Sequence, residues 1–217
     1  MATAIIFDLD GTLADSTGCV VGAAQEVGRA LGFRPVSDDD IRARIGEPLG
    51  PMLAALFAID GEDVKRAVAD YSTEYVRLAN TGERPFEGSI PLLESLKSAG
   101  FKLAIATGKS QNGADRATDR MGLAPHFGSI HGIIPGTPGK PDPAVLVRAM
   151  KALGVTASES IMVGDTTFDM DLSNAVGVRP VAVDWGMHSE SLLRSREPAF
   201  YAHTFAELQA WLLDQAP

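Results

Sequence analysis

The feature that most constrains the fold of this 217-residue chain is the order of its pieces: one apolar strand, a long strand-free helical block, then repeated strand–helix units. Residues 4–9 are short and β-prone and stop at the turn signal Asp10-Gly11. Residues 18–31 carry apolar side chains at helical spacing, interrupted by Gly22 and Gly28. Ser37 is an N-cap for residues 38–45, with three acids in the first turn where the helix dipole favours them. Residues 48–59 read as a third helix. Asp60 caps a fourth to about residue 78, with Val64, Ala67, Val68, Tyr71, Tyr75 and Leu78 on one face.

From residue 83 the pattern alternates. Helices are expected at 90–98, 111–121, 143–153, 168–175 and 205–213. Strands are expected at 101–106, 129–132, 160–163 and 179–183, with a weak one near Phe200. Repeated βα units imply an α/β fold, a parallel sheet with helices on both faces. Strand one then belongs to a sheet whose other strands arrive about seventy residues later. Residues 16–82 are therefore a helical insertion, and residues 1–15 and 83–217 form the core.

Composition narrows the function. A net charge of −9 argues against nucleic acid or an anionic membrane as partner, because a basic footprint supplies most of that affinity. No stretch approaches the roughly 18 apolar residues of a membrane helix. The chain enters Ile5-Ile6-Phe7 without a basic or long apolar leader, so no signal peptide is expected. Cys19, the single cysteine, excludes an internal disulfide and fits a reducing cytoplasm.

In open parallel sheets, ligands bind beyond the carboxyl ends of the strands. Asp8 and Asp10 follow the first strand, Thr107-Gly108-Lys109-Ser110 follows residues 101–106, Lys140 opens the run Lys140-Pro141-Asp142-Pro143, and Gly164-Asp165 follows residues 161–163 with Asp169 four residues on. Asp8 and Asp10, one residue apart, can face one side at a strand's end. Clustered carboxylates need a cation or a shared proton, and an all-oxygen set suits a hard ion such as Mg²⁺.

These residues resemble the motifs of the haloacid dehalogenase superfamily, over almost the whole chain. Asp8-Leu9-Asp10-Gly11-Thr12-Leu13 is similar to the first motif, Thr107 to the second, Lys140 to the third, and Gly164-Asp165-Thr166-Thr167-Phe168-Asp169 to the fourth. The nearest subgroup looks like the phosphoglycolate phosphatase-like hydrolases. The resemblance implies a Rossmann-like core and a helical-bundle cap. It also implies a Mg²⁺-dependent phosphatase, acting on a phosphoglycolate-like molecule or a sugar phosphate through an aspartyl-phosphate. Asp8 would be the nucleophile, ionised at neutral pH and needing no activating base. Asp10 would be general acid and base. Thr107 and Lys140 would stabilise transferring phosphoryl oxygens, with backbone N–H groups near Gly11 and Gly108 as a cradle. Asp8, the carbonyl of Asp10, and Asp165 would hold the metal, with Asp169 in direct or water-mediated support. A monomer or a homodimer is compatible with this reading.

A phosphosugar mutase would need the same aspartates and is the alternative within this fold. A phosphonate hydrolase would need a Schiff-base lysine in the cap, where Lys65 is the only lysine. A dehalogenase needs no acid at the position of Asp10, and a signalling receiver lacks a helical insertion. The expected substrate-facing loop, Gly46-Glu47-Pro48-Leu49-Gly50, contains no cation. Arg42 and Arg44 precede it and read as helix-surface residues, or as partners of a substrate carboxylate. Lys109 sits near the phosphate or in an ordinary salt bridge. Gly108-Lys109-Ser110 is not a P-loop, since the first glycine would have to fall at Leu103. His126, His131, His188 and His203 lack metal spacing, and Trp185 and Trp211 read as packing aromatics.

Overall fold

The computed structural model describes residues 2–216. In chain order the elements are β1 (Ala4–Phe7), β2 (Ala14–Asp15), α1 (Thr17–Ala30), α2 (Asp38–Arg42), α3 (Leu49–Phe57), α4 (Gly61–Gly82), β3 (Arg84–Pro85), α5 (Ser89–Ser98), β4 (Lys102–Ser110), α6 (Gln111–Arg120), β5 (Ser129–Ile133), α7 (Ala144–Leu153), β6 (Ser160–Gly164), α8 (Thr167–Val176), β7 (Arg179–Val183), α9 (Glu190–Arg194), β8 (Phe200–Ala202) and α10 (Phe205–Leu213). Six strands form one sheet in the order β5-β4-β1-β6-β7-β8, every pair parallel.

Strand β1 shows why the sheet lies inside. All four of its residues are buried, and alternate side chains enter different cores. Ile5 and Phe7 pack with Leu103, Ile105, Ile161 and Val163 and with residues of α5 and α10. Ile6 packs with Ala104, Met162 and the Leu146 face of α7. Helices therefore cover both faces, as expected, and only the strand ends are left for chemistry.

Helices α1–α4 own a separate core of Val20, Ala24, Val27, Leu53, Leu56, Phe57 and Ala67, completed by Tyr71. Gly28, an apparent weakness in α1, admits the Phe57 ring; a Cβ there would sit 2.7 Å from Phe57 Cε1. Where this block leaves and rejoins the sheet region, Ala14–Asp15 pairs antiparallel with Arg84–Pro85.

The differences from expectation have local causes. Helix α4 continues to Gly82, beyond the expected end near residue 78, because Ala79 is buried and Glu83 is anchored by Tyr75 of the same helix and by Arg120 of α6. Helix α2 stops at Arg42 rather than 45, although the Ser37–Asp40 capping box forms. Asp60 precedes α4 without a side-chain cap bond. Strand β4 runs past Ala106 through Thr107-Gly108-Lys109 to Ser110, which pairs with Ile133 after an irregularity. Gly132 makes this possible, since a Cβ there would lie 2.6 Å from the Lys109 carbonyl oxygen. Two-residue β2 and β3 and five-residue α9 are too short to leave a period. No helix among the described residues is long and apolar enough to cross a membrane.

Candidate active site

The carboxyl ends of β1, β4 and β6 lie side by side, so the residues that follow them meet. Backbone N–H of Asp8 donates to the Val163 carbonyl at 2.9 Å, which continues the ladder and holds the Asp8 side chain beside Asp165. Asp8, Asp165 and Asp169 are all buried, and one oxygen of each lies within 4.8 Å of the others. Lys140 Nζ, also buried, sits 2.9 Å from Asp8 Oδ1 and 2.5 Å from Asp169 Oδ1.

Each carboxylate is held differently. Asp165 Oδ1 accepts from the Thr12 hydroxyl at 2.7 Å and Oδ2 from the Met187 N–H at 2.9 Å. Asp169 stands in the first turn of α8, where Oδ2 accepts from the Thr166 hydroxyl at 2.7 Å and the Thr166 N–H at 3.1 Å. With Lys140 on Oδ1, both Asp169 oxygens are engaged. Asp8 Oδ1 is buried, and its one close partner is the Lys140 ammonium. Burial pushes the Asp8 carboxyl up to about 7, against the pull of Lys140 and with the neighbouring Asp169 raising it further. Burial, then Asp8 and Asp169, also lifts Asp165 well above the ordinary range, partly offset by its two donors. Burial alone would lower Lys140, but Asp169 and Asp8 outweigh it and the ammonium is stabilised.

These observations test whether a metal fits. The donors are all oxygen, which suits a hard divalent ion. Three carboxylates against one ammonium leave two negative charges uncancelled when all are ionised. Asp8 Oδ1 has beside it only the ammonium that it shares with Asp169, so this buried acceptor keeps capacity for a further partner. Gly11, at φ +78°, and Gly186 make room for the cluster, because a Cβ at either would fall 2.2 or 2.3 Å from Asp165 Oδ2. The residues fit a divalent cation.

Asp10 faces elsewhere. Its Oδ1 accepts from the Ser16 hydroxyl at 2.5 Å, and its Oδ2 lies 2.9 Å from Lys109 Nζ. Lys109 donates to the Tyr75 hydroxyl at 2.7 Å and lies over that ring. Tyr75 in turn donates to Glu83, which is ion-paired with Arg120. A chain of polar contacts thus runs from Asp10 to the helix α4 side and to the junction at Glu83. Lys109 forms the expected salt bridge and also lines the same cavity as Asp8.

That cavity, about 320 Å³, has Asp8, Asp10 and Thr107 at one end and helices α3 and α4 on its wall. Thr107 is buried, and its Oγ1 accepts from the Lys109 N–H at 3.3 Å. Gly108 lies under Gly46; a Cβ would come 3.0 Å from the Gly46 carbonyl oxygen. The expected loop does line the cavity, through Gly46, Glu47, Pro48 and Leu49. Arg42 and Arg44 do not line it and pair with Asp39 and Glu47, so their surface reading stands. Lys65 is exposed and paired with Glu62. Trp185 stacks on Phe205 and donates to the Thr12 carbonyl at 3.0 Å, bracing the first loop. Sequence reasoning gave no role to Thr12, Ser16, Tyr75, Glu83 or Met187. Thr12 stands inside the first motif and Tyr75 on the apolar face of the fourth helix, whereas Ser16, Glu83 and Met187 carry no spacing signal.

Fold and site together define a class: an α/β enzyme with buried carboxylates clustered at the carboxyl ends of parallel strands, under a helical block. The chain belongs to the haloacid dehalogenase-like hydrolases, whose family model matches residues 5–183. It is 34% identical over 212 residues to the probable phosphatase IndB of Dickeya dadantii, covering 96% of this chain and 92% of that one. Identity is 29% over 209 residues to the phosphoglycolate phosphatase of Caulobacter vibrioides, covering 94% and 88%. The haloacid dehalogenase-like family protein SP0104 of Streptococcus pneumoniae superposes with a TM-score of 0.88 at 29% identity, covering 97% of this chain and 98% of that one.

Proposed function

We propose that this protein is a magnesium-dependent phosphatase that acts on a small phosphorylated metabolite through a phosphoryl group carried on Asp8. The observation that carries the reading is the buried cluster of Asp8, Asp165 and Asp169 with Lys140 bridging Asp8 and Asp169. The family and the phosphatases among its relatives support it.

Asp8, Asp165 and the Asp10 carbonyl would hold the ion, with both Asp169 oxygens already engaged and Asp169 reaching it through water. When bound, Mg²⁺ would supply charge stabilisation to the phosphoryl oxygens and keep Asp8 ionised. Asp8 attacks phosphorus, and its carboxylate oxygen gains the phosphoryl group while the ester oxygen leaves. Asp10 delivers the proton to that leaving oxygen and afterwards takes one from the attacking water. Ser16 and Lys109 fix its carboxylate for this. Lys140 and the Thr107 hydroxyl face the charge that develops, and being buried they act with little screening. Residues 16–82 serve as a cap, with residues 1–15 and 83–217 as the catalytic core. Closure of the loop at residues 46–49 over Gly108 excludes water from the transfer. A reducing cytoplasm is the compartment that fits the lone cysteine.

The test is a phosphate-release screen over small phosphate monoesters, in Mg²⁺ and in EDTA, with the wild type and Asp8→Asn. Turnover that needs Mg²⁺ and vanishes in Asp8→Asn is expected. Turnover that survives either EDTA or the Asp8→Asn change refutes the mechanism. Isomerised sugar phosphate with little free phosphate would replace it with the mutase reading.

A further inference from the structure

The cavity above Asp8 has an unequal division of chemistry. Its reactive end is charged, and its outer wall, supplied by α3 and α4, is apolar and aromatic. Met52, Val68, Tyr71 and Tyr75 face the cavity, and the two tyrosine rings stack at 5.9 Å with 17° between their planes. Most polar groups on this wall are occupied; the Tyr71 hydroxyl is the exception and makes no hydrogen bond among the described residues. Ser72 donates to the Val68 carbonyl, Glu47 is paired with Arg44, and the Tyr75 hydroxyl is taken by Lys109 and Glu83.

Most cations of the lining are engaged as well. Lys109 is held by Asp10, and Arg120 by Glu83. Arg116 is an exposed residue of α6 whose Nε donates to the Asn112 carbonyl. On the cap wall the single charged residue is Glu47, an acid.

A polyol placed here would lose water and find few partners on this wall beyond the Tyr71 hydroxyl, and each buried hydroxyl left unpaired is costly. A second carboxylate would meet Glu47 on this wall, and the one lining cation without an ion pair among the described residues, Arg116, stands across the cavity on α6 and is exposed. A flat apolar ring would lose nothing polar and would bury carbon surface against Met52, Val68 and the tyrosine pair.

The geometry points to a substrate class: phosphate monoesters whose organic part is an apolar ring, in preference to two-carbon acids or sugar phosphates. This rests on the phosphatase reading for turnover, and on the cavity alone for binding. The two can be separated with three esters of primary alcohols (benzyl phosphate, 2-phosphoglycolate and a hexose 6-phosphate), which keep the leaving oxygen comparable.

Binding is measured by calorimetry on Asp8→Asn in Mg²⁺, and kcat/KM on the wild type. Benzyl phosphate is expected to bind at least about tenfold more tightly than either competitor and to lead in kcat/KM. Val68→Thr, which adds one hydroxyl at nearly constant volume, should cut that preference about fivefold. Tighter binding of the glycolate or hexose ester to Asp8→Asn overturns the inference and leaves the phosphatase reading intact. The expected binding order with no phosphate released from any ester by the wild type would sink the phosphatase reading while upholding the ligand class.

Discussion

Magnesium should stabilise this protein more at pH 8 than at pH 5, by an amount the site sets. In the metal-free fold Asp8 titrates at about 7, against about 3.9 in an unfolded chain. A carboxyl raised by folding stabilises the fold fully below pH ~4. That contribution is lost as pH rises through 7, and above 7 the ionised, buried carboxylate is a constant penalty. The ion binds the ionised form. At pH 5 it must first displace a proton held with a pKa about two units higher, which costs about 3 kcal/mol at 1.36 kcal/mol per unit. At pH 8 that cost is gone. Asp165, also raised by burial, acts in the same direction. The Mg²⁺-dependent gain should therefore grow by about 3 kcal/mol between pH 5 and 8. For a chain of this size that is a melting-temperature difference on the order of 6–12 °C. The assay is thermal and urea unfolding in EDTA and in saturating Mg²⁺ at pH 5, 6, 7 and 8, for the wild type and Asp8→Asn. An increment that is flat with pH, or that grows equally in Asp8→Asn, would refute the reasoning.

Three further outcomes follow from the same contacts. Lys140→Ala leaves Asp8 and Asp169 without their ammonium and should cost about 3–5 kcal/mol at pH 8, with less loss at pH 5, as read by urea unfolding. Gly11→Ala forces a Cβ at φ +78° to within 2.2 Å of Asp165 Oδ2; it should lose the Mg²⁺ increment altogether, measured by the same melts. Tyr75→Phe removes the hydroxyl between Lys109 and Glu83 while keeping the ring. It should lower kcat several-fold and alter the pH–rate profile, with KM little changed, because Lys109 then holds Asp10 less firmly.

Much of this was legible in the sequence because two periods and one order carry it. Helical spacing in residues 18–31 and 61–78, and short buried runs such as residues 5–7, gave the layers. The position of Asp8, Thr107 and Asp165 just after apolar strands gave the edge where they meet. What escaped was held by single contacts without a period. The β2–β3 pair is two residues long on each side. The path from Asp10 through Lys109 to Tyr75 and Glu83 at the end of α4 joins three distant parts of the chain, and no local pattern in any of them announces the others. The extension of β4 through Lys109 likewise depended on a glycine in another strand.

The central claim is that the Asp8 carboxylate takes the phosphoryl group, and it can be read directly. Asp10→Ala should slow the water-attack step, so that acid-quenched protein mixed with a turned-over ester in Mg²⁺ accumulates a covalent phosphoryl group. Peptide mass spectrometry should place that group on Asp8, and the adduct should be absent from Asp8→Asn and from EDTA-treated enzyme. A phosphoryl group on another residue, or Asp8→Asn releasing phosphate at the wild-type rate, would contradict the account.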